Sequence, residues 1–400
     1  MARFRFGLRI AGLVLAAALT LFFLLAPGSV DRRMNRIAES PVGSLEQQPV
    51  SEQAAAFHAG LVVADLHANP LLWGRSLGRT YSYGHMDITR MQVSGPALQV
   101  FSAVTKVPAG LNYTRNDADS DLVRWLALTQ LWPPHTWFSL RNRALYQAAK
   151  LDRVAARSDG RLVVVHSVRD LEVFLRRRQA QPGLIGGILA MEGLHALEGD
   201  ADNLQTLFDA GYRVFGLTHF FDNEVAGSAH GVTQGGLTPF GRDVVAWMER
   251  HNGILDLAHL SASAFDEVLA LTGRPVIVSH TGVQGTCPGP RNLSDAQIDR
   301  IAANGGLIGI GFWEGAVCEP TIDAIVEAIQ YAVARAGIDH VALGSDFDGA
   351  TTVPFDVTGL PWLTEALLKA GFSGAEVGQL MGGNAVRFFL MHLPPGTPGP

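Results

Sequence analysis

The sequence predicts an α/β protein: a (β/α)8 TIM barrel with a helical insertion, preceded by one N-terminal membrane helix. Three observations carry this. Short apolar runs alternate with helical segments along the 400 residues, and strands buried on both faces read as continuous apolar runs. Eight such runs fall in order, at 61–66, 97–104, 185–191, 212–218, 254–258, 275–279, 307–311 and 340–345; strand alternating with helix implies a parallel sheet, and eight repeats imply closure into a barrel. Six of the runs end on or just before a residue that binds metals, namely His67, Glu192, His219, His259, His280 and Asp346. The C-terminal ends of barrel strands are where such folds place their chemistry.

The chain opens with Arg3, Arg5 and Arg9, followed by an uninterrupted apolar stretch at 10–26. That length lies near the lower limit for a spanning helix and above most signal-peptide cores. Segment 1–26 therefore reads as a signal-anchor or a cleaved signal peptide. The leading positive charge places the body on the non-cytoplasmic side, periplasmic or extracellular, or secreted after cleavage. Arg32, Arg33 and Arg36 follow the stretch and weaken that orientation signal. No cysteine follows it closely, which excludes lipoprotein attachment.

Residues 27–55 are polar and proline-punctuated and read as a linker. The barrel domain is expected at 56–393, with a flexible Pro/Gly tail at 394–400. Between 105 and 182 a mostly helical insert is expected beside the barrel, with an extra strand in RLVVVHS. Helices are expected at 261–272, behind a serine cap and before Gly273, and at 321–336, closed by Gly337. Ser294 with Gln297 and Ser373 with Glu376 have capping-box spacing.

The net charge of −6 and the absence of a basic stripe exclude nucleic acid as a partner. Cys287 and Cys318 lack metal-site spacing. A bridge between them in an oxidising compartment and a pair of buried thiols both remain open.

His259 and His280 end consecutive strand runs, which brings two imidazoles together as neutral ligands suited to zinc. His67 ends the first run, and alternate residues on a strand face one way, so His67 and Asn69 project toward the barrel mouth together. An amide oxygen can coordinate a metal but brings no charge, so affinity there is expected to fall. Glu192 can bridge two metals with one oxygen on each. His219, placed as a non-ligand, can donate to a developing oxyanion. Asp346 can take and return a proton, and is preferred over Asp348, read as structural. Arg291 can hold a substrate carboxylate through two parallel hydrogen bonds. His195 reads as structural. His85-x-Asp87 and Gly309-x-Gly311 are set aside, because the first follows no strong apolar run and the second lacks dinucleotide-binding spacing.

Over roughly 58–390 the motifs D-L-H-A-N (65–69), M-E-G (191–193), L-T-H (217–219), D-L-A-H (256–259) and S-H (279–280) occur in order, with R-N (291–292), G-S-D-F-D-G (344–349) and G-G-N (382–384) after them. This set resembles the membrane (renal-type) dipeptidase family of metal-dependent amidohydrolase barrels. The resemblance implies zinc-dependent hydrolysis of dipeptides by a hydroxide bridging two zincs. It implies His67 and the residue at Asn69 on the first zinc, Glu192 bridging, and His259 and His280 on the second. His219 would polarise the scissile carbonyl, Arg291 would hold the substrate carboxylate, and Asp346 would hold the amine and shuttle the proton. The chain departs at Asn69, where the family usually has an aspartate, so the first zinc is expected to be held loosely or not at all. The partners implied are a small dipeptide, the membrane through the N-terminal helix, and a second copy as a homodimer. The alternatives are a related amidohydrolase acting on another small amide or lactam, and a metal-depleted non-catalytic relative.

Overall fold

A computed structural model describes residues 2–40 and 44–396; the side chains of 2–12, 15, 19 and 24, and the end of the expected tail, lie outside that description. It begins with helix α1 (Ala2–Met34) and strand β1 (Arg36–Ile37). The barrel strands are β2 (Ala64–Ala68), β3 (Leu98–Val104), and, after β4 (Leu162–Val164), β5 (Ile185–Glu192), β6 (Tyr212–Gly216), β7 (Ile254–Asp256), β8 (Ile277–Thr281), β9 (Leu307–Ile310) and β10 (Val341–Leu343). A last short strand, β11 (Thr352–Val353), pairs in parallel with β1. The main sheet runs β3-β2-β10-β9-β8-β7-β6-β5-β4, and β3 also pairs with β5. That pairing closes eight parallel strands into the expected barrel and leaves β4 on the outside, beside β5.

Each expected run overlaps a strand, but β6, β7 and β10 stop short of His219, His259 and Asp346. His259 and Asp346 leave the ladder with φ of +64° and +59°, left-handed values that side chains other than glycine rarely adopt. Serine and threonine caps start the helices as read. Ser261 caps Ala262–Leu271 and Thr321 caps Ile322–Ala336, and full capping boxes form at Ser294/Gln297 and Ser373/Glu376. The insert supplies helices Leu122–Thr129, Leu140–Ala156 and Val168–Ala180. One buried cluster joins Ala190, Val214, Ile277 and Ala342 of the strands to Phe388 and Phe389 of the last helix. A larger one lies between the strands and the surrounding helices.

The expected N-terminal membrane helix finds no support: among the described residues no helix is long and apolar enough to cross a membrane. Helix α1 does not end with the apolar stretch but runs on through Pro27 to Met34. Its last turns belong to the folded body. Asp31 is buried and pairs with Arg75 at 2.7 Å, and Arg75 pairs with Asp348 at 2.5 Å. Part of the segment read as a linker is thus packed, because charge and strand pairing hold it where apolar patterning gave no sign. Cys287 and Cys318 are joined in a disulfide.

Candidate metal centre

The strand ends bring one carboxylate and four imidazoles together. Glu192, the last residue of β5, is buried with its two oxygens facing different partners. Its Oε1 lies 3.2 Å from His259 Nε2, 3.3 Å from His280 Nε2 and 3.5 Å from His219 Nε2. Its Oε2 lies 3.3 Å from His67 Nε2 and accepts from Asn69 Nδ2 at 2.9 Å. The sequence reading expected the Asn69 oxygen to face the centre; the nitrogen does. His259 Nε2 and His280 Nε2 are only 3.1 Å apart. Two imidazole lone pairs that close, against one carboxylate oxygen, need a proton or a cation between them. Glu192, His259 and His280 therefore fit a divalent cation held by three protein ligands, the donor set of an open catalytic site.

Behind the ligands stands Ser279. Its Oγ lies 3.2 Å from His67 Nδ1 and 2.8 Å from His280 Nδ1. Buried Asp256 accepts from the Ser279 backbone N–H at 2.9 Å. Where the Ser279 hydroxyl accepts from the rings, it holds their protons at Nδ1, which leaves His280 Nε2 free to face Glu192. A Cβ on Gly309 or Gly344 would come within 2.1 or 2.0 Å of the Ser279 carbonyl, so Gly309 serves close strand packing. The sequence reading missed Ser279 and Asp256. Both lie inside the S-H and D-L-A-H motifs, one and three residues from histidines it chose.

Asp346 is buried, its Oδ1 3.9 Å from His67 Nε2. Desolvation pushes its carboxyl well above the usual range, against the pull of His67 and Arg291. Burial would also raise Glu192, but the neighbouring His67 and His219 and the close His259 and His280 rings hold it well below. Burial lowers His67, yet Glu192 beside it wins and pushes it up to about 9. Burial lowers His219. A Cβ on Gly349 would meet Asp346 Oδ1 at 1.9 Å, so only glycine leaves that carboxylate its place.

Arg291 donates to the His280 carbonyl at 2.6 Å and lies over the Trp313 ring at 5.1 Å, while its Nε is buried without a protein partner. Glu192, His219, His259, His280, Arg291 and Asp346 all line one cavity of about 180 Å3. Its walls are largely apolar, with Leu72, Val104, Phe220 and Trp313, and Met34 from the end of α1. Tyr113 from the insert, also missed by sequence, accepts from Trp313 Nε1 at 2.9 Å. His195 stands apart, bonded to Thr105 at 2.9 Å. His85 braces the Asp346 loop, its N–H donating to Asp348 Oδ1 at 2.6 Å and its Nδ1 accepting from Asp348 N at 2.8 Å.

The model of the family described as membrane dipeptidase (peptidase family M19) matches residues 51–391, nearly all of the barrel. This chain belongs to the membrane dipeptidase family. Dipeptidase tcpJ of Claviceps purpurea (strain 20.1) is 31% identical over 317 residues, 76% of this chain and 68% of that protein. Dipeptidase verJ of Clonostachys rogersoniana is 34% identical over 212 residues, 51% of this chain and 55% of its own length; against verJ the chain spans about half the relative. Among solved structures, the metallopeptidase dipeptidase AC aligns with a TM-score of 0.65 at 26% identity, covering 84% of this chain and 99% of the other. A metallopeptidase from Rhodobacter sphaeroides, liganded with a phosphinate mimic of the dipeptide L-Ala-D-Ala, aligns equally well, with a TM-score of 0.65, 26% identity and 83% and 99% coverage. The family's barrel therefore extends over the whole site described above.

Proposed function

We propose that this member of the membrane dipeptidase family is a zinc-dependent dipeptidase. The observation that carries the reading is the meeting of Glu192 Oε1 with two imidazole nitrogens 3.1 Å apart, in the cavity that Arg291 and Asp346 also line. The Rhodobacter sphaeroides relative, holding a dipeptide mimic on the same fold, supports it. Glu192, His259 and His280 would hold the ion, which supplies Lewis acidity to the scissile carbonyl and acidifies water for attack.

The other steps belong to the chain's own side chains. Arg291 binds the carboxylate end of the substrate, its Nε being free of protein partners. His219, kept neutral by burial, donates to the carbonyl oxygen as negative charge develops there. Asp346, its carboxyl raised by burial, pairs with the substrate amine, accepts the proton of the attacking water and returns it to the leaving nitrogen. The apolar walls exclude competing water. The chain is exported, by this reading: the Cys287–Cys318 bridge suits an oxidising compartment, and segment 10–26 with its leading arginines suits export. The test is a dipeptide panel assayed on chelated and zinc-reloaded protein. Zinc-restored turnover of dipeptides, lost when the substrate's C-terminal carboxylate is amidated, is expected; zinc-loaded protein that cleaves no dipeptide refutes the proposal.

A further inference from the structure

We infer that this centre is built for one cation, on Glu192, His259 and His280, and that the Asn69 amide takes the place of a second. The inference rests on reading the strand ends as a metal centre. Its main support is the orientation of one side chain. Asn69 Nδ2 lies 2.9 Å from Glu192 Oε2 and 3.3 Å from the Ser102 carbonyl oxygen. Both neighbours can only accept, so the hydrogen-bond network identifies the atom between them as the nitrogen. Turning the amide over would set its oxygen against two acceptors in a buried site, an arrangement that costs free energy instead of releasing it. The backbone holds the residue in place as well, since the Asn69 N–H donates to the Phe347 carbonyl at 2.9 Å.

The two oxygens of Glu192 have therefore divided their work. Oε1 faces three imidazole nitrogens and lacks a fixed donor. Oε2 faces an amide N–H and the His67 ring. An aspartate at 69 would place a second carboxylate against Oε2, stable only with a cation between them. The asparagine removes that repulsion and neutralises the oxygen with a hydrogen bond. His67 follows the same logic: its Nε2 lies 3.3 Å from Oε2, so it becomes a positioning residue for Glu192.

Among the described residues, two groups of three metal-type ligands converge. One is Glu192, His259 and His280; the other is His67, Asp256 and His280. The second does not make an independent site. It shares His280, and Asp256 Oδ1 is already occupied by the N–H groups of Ala258 at 3.1 Å and Ser279 at 2.9 Å. Among the described residues, no converging group of His, Cys, Asp or Glu joins His67 to Glu192.

The experiment counts ions, not turnover. Protein stripped with a chelator is reloaded with zinc and weighed by native mass spectrometry, then reloaded with manganese for electron paramagnetic resonance. One ion per chain and an uncoupled manganese spectrum are expected. Asn69→Asp should admit a second ion and produce the spectrum of a coupled pair. His67→Gln should leave the wild-type stoichiometry at one ion, whereas it would lose one of two in a binuclear centre. Two tightly held ions in the wild type overturn the inference, and so does a folded Asn69→Asp protein that stays at one. A wild type that binds none overturns the inference and the metal-centre reading together. One ion without dipeptide cleavage supports the inference and defeats only the proposed activity.

Discussion

At the scale of single residues, the centre depends on groups that never face the cavity directly. Ser279 is the clearest. Its hydroxyl sits between the Nδ1 atoms of His67 and His280, at 3.2 and 2.8 Å, and its backbone N–H is anchored on Asp256 at 2.9 Å. Without it the rings can rotate or change tautomer. Outer partners of this kind typically contribute about 10–100-fold to metal affinity. Ser279→Ala should therefore weaken zinc binding by about that factor in a chelator competition, while Ser279→Thr keeps the hydroxyl and most of the affinity. An alanine variant with unchanged affinity would remove Ser279 from the account. The residue sat in plain view in the sequence, one place before His280. It went unread because a serine carries no metal signature; only the approach of two distant rings to its oxygen reveals its part.

Two elements outside the barrel hold the loop that carries Asp346. The end of α1 brings Asp31 to Arg75, and Arg75 reaches Asp348, two residues past Asp346. All three are buried. Breaking such a network by removing one partner leaves an uncompensated charge and costs about 3–5 kcal/mol. Arg75→Met should lower unfolding free energy by about that amount in a denaturant titration, and a loss under about 1 kcal/mol would show the network to be weak. The helix Leu140–Ala156 adds Lys150, whose Nζ donates to the carbonyls of Leu71, at 3.0 Å, and Trp73. Burial, with Arg75 nearby, lowers its pKa to about 7. The sign follows from linkage: between pH 7 and about 10 the unfolded chain holds a proton on this lysine that the folded chain has released, so stability from this group rises with pH across that window. Below pH 7 both states are protonated and the penalty is constant. Unfolding free energy measured from pH 7 to 10 should climb in the wild type, and the climb should be smaller in Lys150→Met. Equal slopes would place the lysine elsewhere. Neither network was legible beforehand, since charges scattered over 31, 75, 150 and 348 form no local pattern.

For the whole molecule, the Cys287–Cys318 bridge spans the loop that carries Arg291 and returns it to the segment after β9, across a sequence separation of 31. Closing a loop of that length restrains the unfolded chain by about 3–4 kcal/mol on chain-entropy grounds. Cys287→Ser with Cys318→Ser should lower the Tm by several degrees, read by differential scanning fluorimetry, and raise KM more than it lowers kcat, because the loop carrying Arg291, the proposed holder of the substrate carboxylate, loses its tether. A fall in kcat alone would place the bridge's effect outside substrate binding.

The sequence by itself determined the barrel, its strand order and the strand ends that supply Glu192, His259 and His280. Those properties are periodic or local: apolar runs mark buried strands, and chain order sets which strand ends are neighbours. It also marked position 69 as unusual. Only the tertiary structure decided which atom of Asn69 meets Glu192, that Ser279 aligns two rings, and that the last turns of α1 are buried with Arg75. Each of these depends on the distance between side chains far apart in sequence, set by how strands and loops close around one another, and that distance leaves no trace in composition or period.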